Sequence, residues 1–236
     1  MKTLFSCVFI VLILVGCSST ISTTNTGQER IKTHRSIAIL PFEVRFDLRN
    51  KNRKKFTEKE LSDLRHFMAT GLQDYLYNWL KTYSYRQSFT VTIQNTDITD
   101  SILAAQQISY LVLYNMGRTE LAKLLGVDAV LTPNVIFAQP NSEEVSMLLS
   151  PVGSDPSNIF NPDFFNSLAT QEMRMQVLLN DRFSETSLWT FETKTQSSKA
   201  TRRVSNDPQK NILTPLFANI DKTLNRFIRN FPYKKT

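Results

Sequence analysis

Ser36-Ile37-Ala38-Ile39-Leu40-Pro41-Phe42 is the stretch from which the architecture can be built. Apolar side chains sit at successive positions, so both faces of an extended chain would be covered, as in an interior strand. Pro41 ends the run, because it has no N–H to give to a sheet ladder. Next comes a basic loop in which Arg45, Arg49, Lys51, Arg53, Lys54 and Lys55 have Asp47 as the only acid among them. Thr57 followed by Glu60 makes a capping box. Behind it Leu61, Leu64, Phe67, Met68, Leu72, Tyr75, Leu76, Trp79 and Leu80 recur at helical spacing, which predicts an amphipathic helix over about 58–82.

Phe89-Thr90-Val91-Thr92-Ile93-Gln94 alternates and reads as a second strand. Residues 99–115 carry Ile102, Leu103, Ile108, Leu111 and Val112 and read as helix. Thr119 to Leu125 reads as a short helix stopped by Gly126, which suits a left-handed cap. Asp128 to Phe137 is the third strand, with Asp128 as a hydrogen-bond acceptor at its start and Pro133 predicting an edge, a bulge or a break. Residues 138–170, rich in Pro, Asn and Ser, are expected as a long loop. Met173 to Leu179 and Ser187 to Thr195 read as a hairpin that turns from Asn180-Asp181. Thr214-Pro215 opens a last helix with the stripe Leu216, Phe217, Ile220, Leu224, Phe227 and Ile228. The expected order is β-α-β-α-α-β-β-β-α, a mixed α/β sheet covered by helices in a single domain over 35–236.

The chain has 236 residues, 41% of them hydrophobic, which is enough to form a core and too much for a disordered chain. Six Gly and nine Pro exclude collagen-like and linker-like classes. Two Cys exclude a disulfide scaffold and a four-Cys zinc site. With 28 Lys+Arg against 21 Asp+Glu, the formal charge of +7 favours anionic partners without choosing among them.

The N-terminus speaks to location. Lys2 is followed by the apolar run from Leu4 to Val15, which has the length of a signal-peptide core and is shorter than a membrane span. It ends in Leu14-Val15-Gly16-Cys17, which resembles a bacterial lipobox. In that reading residues 1–16 are removed, Leu14, Val15 and Gly16 serve cleavage-site recognition, and the Cys17 thiol takes a diacylglyceryl group. The polar residues of 17–34 are expected as a lipidated flexible tether. Ser18 stands where Asp would favour inner-membrane retention in enterobacterial lipoproteins, so the expected address is the periplasmic face of the outer membrane.

A search for catalysis finds no G-x-G-x-x-G, P-loop, G-x-S-x-G elbow, H-E-x-x-H or C-x-x-C. His34 and His66 are the only imidazoles, and neither has the sequence context of a catalytic base. The expectation is a protein that is not an enzyme and needs neither metal nor cofactor.

Ser36–Phe42 resembles the "VAVLPF" strand of CsgG-like envelope lipoproteins and of the TolB N-terminal domain. Leu121-Ala122-Lys123-Leu124-Leu125-Gly126-Val127-Asp128-Ala129-Val130-Leu131 resembles their helix-to-strand segment. The hairpin with Trp189 and the ending Phe231-Pro232-Tyr233 are similar as well. This resemblance, which extends to LpoB-like activators, implies an anticodon-binding-domain-like sandwich that serves as a platform for different partners. The functional expectation is a lipid-anchored, non-enzymatic module that binds another envelope protein in assembly or regulation. Its membrane contact would be the N-terminal acyl chains, and an anionic surface could meet the basic loop. The periplasmic address argues against nucleic acid. One alternative is a subunit of a curli-type secretion channel, disfavoured because Pro140, Pro151, Pro156 and Pro162 interrupt membrane-crossing strands of the required length. A hydrolase is the other alternative.

Overall fold

The computed structural model of the chain describes residues 19–47, 57–138, 172–196 and 220–235. The elements in chain order are β1 (Ser19–Thr23), α1 (Asn25–Ile31), β2 (Ser36–Ile39), β3 (Glu43–Asp47), α2 (Glu58–Ser84) and β4 (Thr92–Ile93). They continue as α3 (Thr96–Ala105), α4 (Tyr110–Leu113), α5 (Arg118–Leu124), β5 (Ala129–Ala138), β6 (Glu172–Asp181), β7 (Ser184–Gln196) and α6 (220–229). The fold class is mixed α/β, with helices packed on a sheet whose described strands run β1-β7-β6-β5-β2-β4 and with β3 beside β5.

The Ile37–Leu40 run serves two cores at once. Ile37 and Ile39 face α2 and α6, while Ala38 and Leu40 face α3, α4 and α5, and all four are fully buried. Burying each of the large side chains contributes roughly 1.5–3 kcal/mol, so this strand ties two layers together. The capping box forms as expected, with Glu60 N donating to Thr57 Oγ1 at 3.2 Å and Thr57 N donating to Glu60 Oε2 at 2.7 Å. Along α2 the buried stripe departs from the pattern at two places. Phe67 is exposed, and Gln73 is fully buried, its Nε2 donating to the Ile39 carbonyl at 2.9 Å and to Asp100 Oδ1 at 3.1 Å. Gln73 thereby satisfies a strand carbonyl that the sheet does not use.

Three further expectations are corrected. The strand over 89–94 shrinks to Thr92–Ile93, parallel to β2, and Phe89 instead bridges Lys234. The helix over 99–115 divides into α3 and α4, because Gln107 takes a left-handed φ of 54° and ends the first piece. Pro133 lies inside the sheet, opposite Val177 of β6. On its other side β5 pairs first with β2, as far as Leu131, and then with β3, from Asn134. The Leu131 carbonyl accepts from Leu40 N, so by two-residue alternation the nitrogen of Pro133 faces the seam where β2 has left and β3 has not begun. A residue without an N–H costs no ladder bond at that point.

The largest correction is at the N-terminus. Residues 19–31, expected as tether, are the edge strand β1 and the helix α1. β1 pairs with β7 from Ser19↔Thr193 to Thr23↔Trp189. Thr24 caps α1 by accepting from Gly27 N at 3.0 Å. Gly27 lies so close to β7 that a Cβ there would stand 2.5 Å from the Leu188 carbonyl oxygen. An edge strand is held by backbone hydrogen bonds on one side and can be polar throughout, so it leaves no hydrophobic pattern to read.

Candidate functional site

Side-chain alternation gives the sheet two different faces. One carries Met173, Met175, Val177 and Phe191 into the core under α2 and α6. The other is covered by α3, α4 and α5 near β2 and the hairpin turn. Toward the opposite end this second face is open among the described residues and holds a groove of about 510 Å³.

The residues of that open part stand in registered rows across the sheet, most of them polar. Glu43, Asn134, Gln176, Glu192 and Thr20 stand in line across five strands. Arg45, Ile136, Arg174 and Lys194 form the next row, and Asp47, Ala138, Glu172 and Gln196 the last. The charges are paired between rows. Glu172 takes Arg174 through Oε1 and Lys194 through Oε2 at 2.6 Å. Glu43 takes Arg45 through Oε1 and accepts from Asn134 Nδ2 at 3.0 Å. Glu192 accepts from Gln176 Nε2. Such a face presents donors and acceptors in a fixed lattice with nearly balanced charge, which suits docking of a polar protein surface. No nucleophile is paired with a base in it.

At the hairpin end the polar groups are sealed. His34 is 6% exposed, its Nδ1 lies 2.6 Å from the Tyr233 hydroxyl and its Nε2 lies 3.8 Å from Asp181 Oδ2. Burial raises the phenol pKa of Tyr233, so the hydroxyl stays protonated and shares a hydrogen bond with the His34 ring. Burial also holds His34 below its ordinary pKa, against the opposing pull of the Asp181 and Asp128 carboxylates. Asp181 is fully buried and forms an ion pair with Arg30 of α1 at 2.7 Å. Asp128 accepts from Arg35 N at 2.8 Å and Ser36 N at 3.1 Å, the strand-start role expected of it. Those bonds hold its carboxyl below the usual range despite partial burial. Glu185 of β7 receives Arg118 N and Thr119 N and caps α5, whose Gly117 has no side chain to do so. These residues fasten α1, the hairpin and the C-terminus to one another, and His34 is enclosed among them. His66 is exposed on α2, its ring edge-on to Tyr110.

Of the expected site residues, Arg45 lies on strand β3 rather than in a loop, and its charge is matched by Glu43. Arg49, Lys51, Arg53, Lys54 and Lys55 lie outside the described residues, as do Leu14, Val15, Gly16, Cys17 and the 139–170 part of the long loop. Sequence reading missed Arg174, Gln176, Glu192 and Lys194. Part of their signal was present, since Glu172, Arg174 and Gln176 alternate with Met173, Met175 and Val177, whereas Glu192 and Lys194 alternate with Phe191, Thr193 and Thr195 and stand out less. Among the described residues no group of three His, Cys, Asp or Glu side chains could hold a metal ion, and no helix is long and apolar enough to cross a membrane.

No protein-family model matches the chain, and no curated protein does. Several solved structures are similar to it. Lipoprotein GNA1162 from Neisseria meningitidis aligns with 84% of this chain and 98% of its own, at 11% identity and a TM-score of 0.41. The hypothetical protein CT253 from Chlamydia trachomatis aligns with 84% of this chain and 96% of its own, at 11% identity and a TM-score of 0.36. The LpoB C-terminal domain from Salmonella enterica aligns with 72% of this chain and 94% of its own, at 7% identity and a TM-score of 0.32.

Proposed function

We propose that the chain is a lipoprotein of the outer membrane, facing the periplasm, whose α/β domain binds another envelope protein without chemistry of its own. The observation that carries the binding role is the open, registered lattice of Arg45, Asn134, Arg174, Gln176, Glu192 and Lys194 on an otherwise covered sheet. The anchoring role rests on Leu14-Val15-Gly16-Cys17 after the apolar run, and the cations of 49–55 add an anionic surface as a further contact. A photocrosslinking residue at Gln176 should capture a partner in intact cells, while one at exposed Asp63 on α2 should not. Failure at Gln176, or equal capture from both positions, would remove the binding face. Cys17→Ser should abolish incorporation of a clickable fatty acid, because the thiol is the group that forms the thioether, and equal labelling would remove the anchor.

A further inference from the structure

β1 begins at Ser19, two residues after Cys17. Two residues span at most about 7 Å. Ser19 is in register with Thr193 of β7, three positions short of the last row, Asp47, Ala138, Glu172 and Gln196. Three strand residues rise roughly 10 Å. The start of β1 and the last row of four strands therefore lie at one end of the sheet. The hairpin turn at Arg182 and Phe183 lies at the other end, about 30 Å away along the ten residues of β6.

We propose that this end of the sheet faces the phospholipid headgroups, held near them by the short link from an acylated Cys17. The inference builds on the lipoprotein reading and adds an orientation to it. A long tether would let the domain tumble. Here the chain enters the sheet at once through β1, which five registered pairs bind to β7, so the anchor acts on a rigid body. Among the described residues the charge of the end is compatible with a bilayer, because Glu172 is paired with Arg174 and Lys194. The open groove then opens beside the membrane surface, within reach of a partner that is itself membrane-bound. The hairpin end, with Phe183 72% exposed between Arg30 and Arg182, points away into the aqueous space.

The test uses the lipidated full chain in vesicles of phosphatidylcholine and phosphatidylglycerol, with headgroup-nitroxide lipid as quencher. A fluorophore on Asp47→Cys should be quenched severalfold more than one on Phe183→Cys. A second pair on the same strand, Lys194→Cys against Thr186→Cys, covers the case in which one of the first pair fails to fold. A 20-residue Gly/Ser insertion between Ser18 and Ser19 should bring the two signals of each pair together. Equal quenching of both labels without the insertion, as for a domain lying on its β1 edge, would overturn the orientation. A contrast that survives the insertion would overturn the link as its cause. Absence of fatty acid on Cys17, read separately by mass spectrometry, would remove the lipoprotein reading and the orientation with it.

Discussion

Asp181 and Glu172 mark opposite ends of the same strand, and their surroundings differ in kind. Asp181 is fully buried, with Arg30 and His34 arranged round it from α1 and the chain that follows. Glu172 is itself largely buried, at 9% exposure, but it is clasped by Arg174 and Lys194, whose side chains are about half exposed. The sealed end joins parts of the chain that are far apart in sequence, residues 30–34, 128, 181 and 233. Among the described residues the open end joins neighbouring strands. Charges at the first should matter to folding and charges at the second to contact, and substitutions can separate the two.

The largest effect is expected from Asp181→Ala. It leaves Arg30 without its anion and opens a polar void at the join, so the loss of stability should be about 3 kcal/mol, read by chemical denaturation. A loss below about 0.5 kcal/mol would mean that the sealed end is not a stabilising join. Gly27→Ala comes next. Its methyl group meets the Leu188 carbonyl, which is backbone and cannot swing aside, so the expected cost is about 1–3 kcal/mol. Protease cleavage within 19–31 should rise in parallel, because the strain falls where α1 meets β7.

Acidification tests the same end more gently. Burial lowers the pKa of His34 in the folded chain below its ordinary 6.5. The unfolded chain therefore binds the proton more readily, and the contribution of neutral His34 is complete above pH 6.5 and declines as pH falls below it, by at most about 1.4 kcal/mol per pH unit. Thermal unfolding between pH 7.5 and 5.5 should show this decline in the wild type and a flatter profile in His34→Gln. The smallest effect on folding is expected at the open end. Arg174→Ala should change stability by less than about 0.5 kcal/mol and still reduce crosslinking from Gln176. A large loss of stability there would erase the contrast between the ends.

Parts of this arrangement were legible in the residues. Gly126 does take a positive φ of 67°, the Thr57–Glu60 capping box forms, and the hairpin runs through Asn180 and Asp181. Each is a local decision, made by backbone sterics or by hydrogen bonds within a few residues. Arg45 shows where local reading stops. Its neighbours in sequence made it one of a run of cations, whereas its neighbours in space are Glu43 on its own strand and Ile136 across the sheet. Arg174 reaches Glu172 from two positions along the same strand, whereas only strand pairing brings Lys194 to it.

What the sequence determined by itself was the α/β class, the interior strand that begins at Ser36 and runs to Ile39, and the long helix, because hydrophobic periodicity and caps are written in consecutive residues. Tertiary structure alone decided that residues 19–31 pack on β7 as strand and helix, that Pro133 fits a seam between two strands, and that one half of one face is polar and open among the described residues. The physical reason is common to all three. An edge strand is held by the backbone of β7, a missing N–H is tolerated where a neighbour has withdrawn, and a charged lattice exists only once register is set. Pro133 and the alternation in β6 do mark the sequence, but neither says which strand lies opposite.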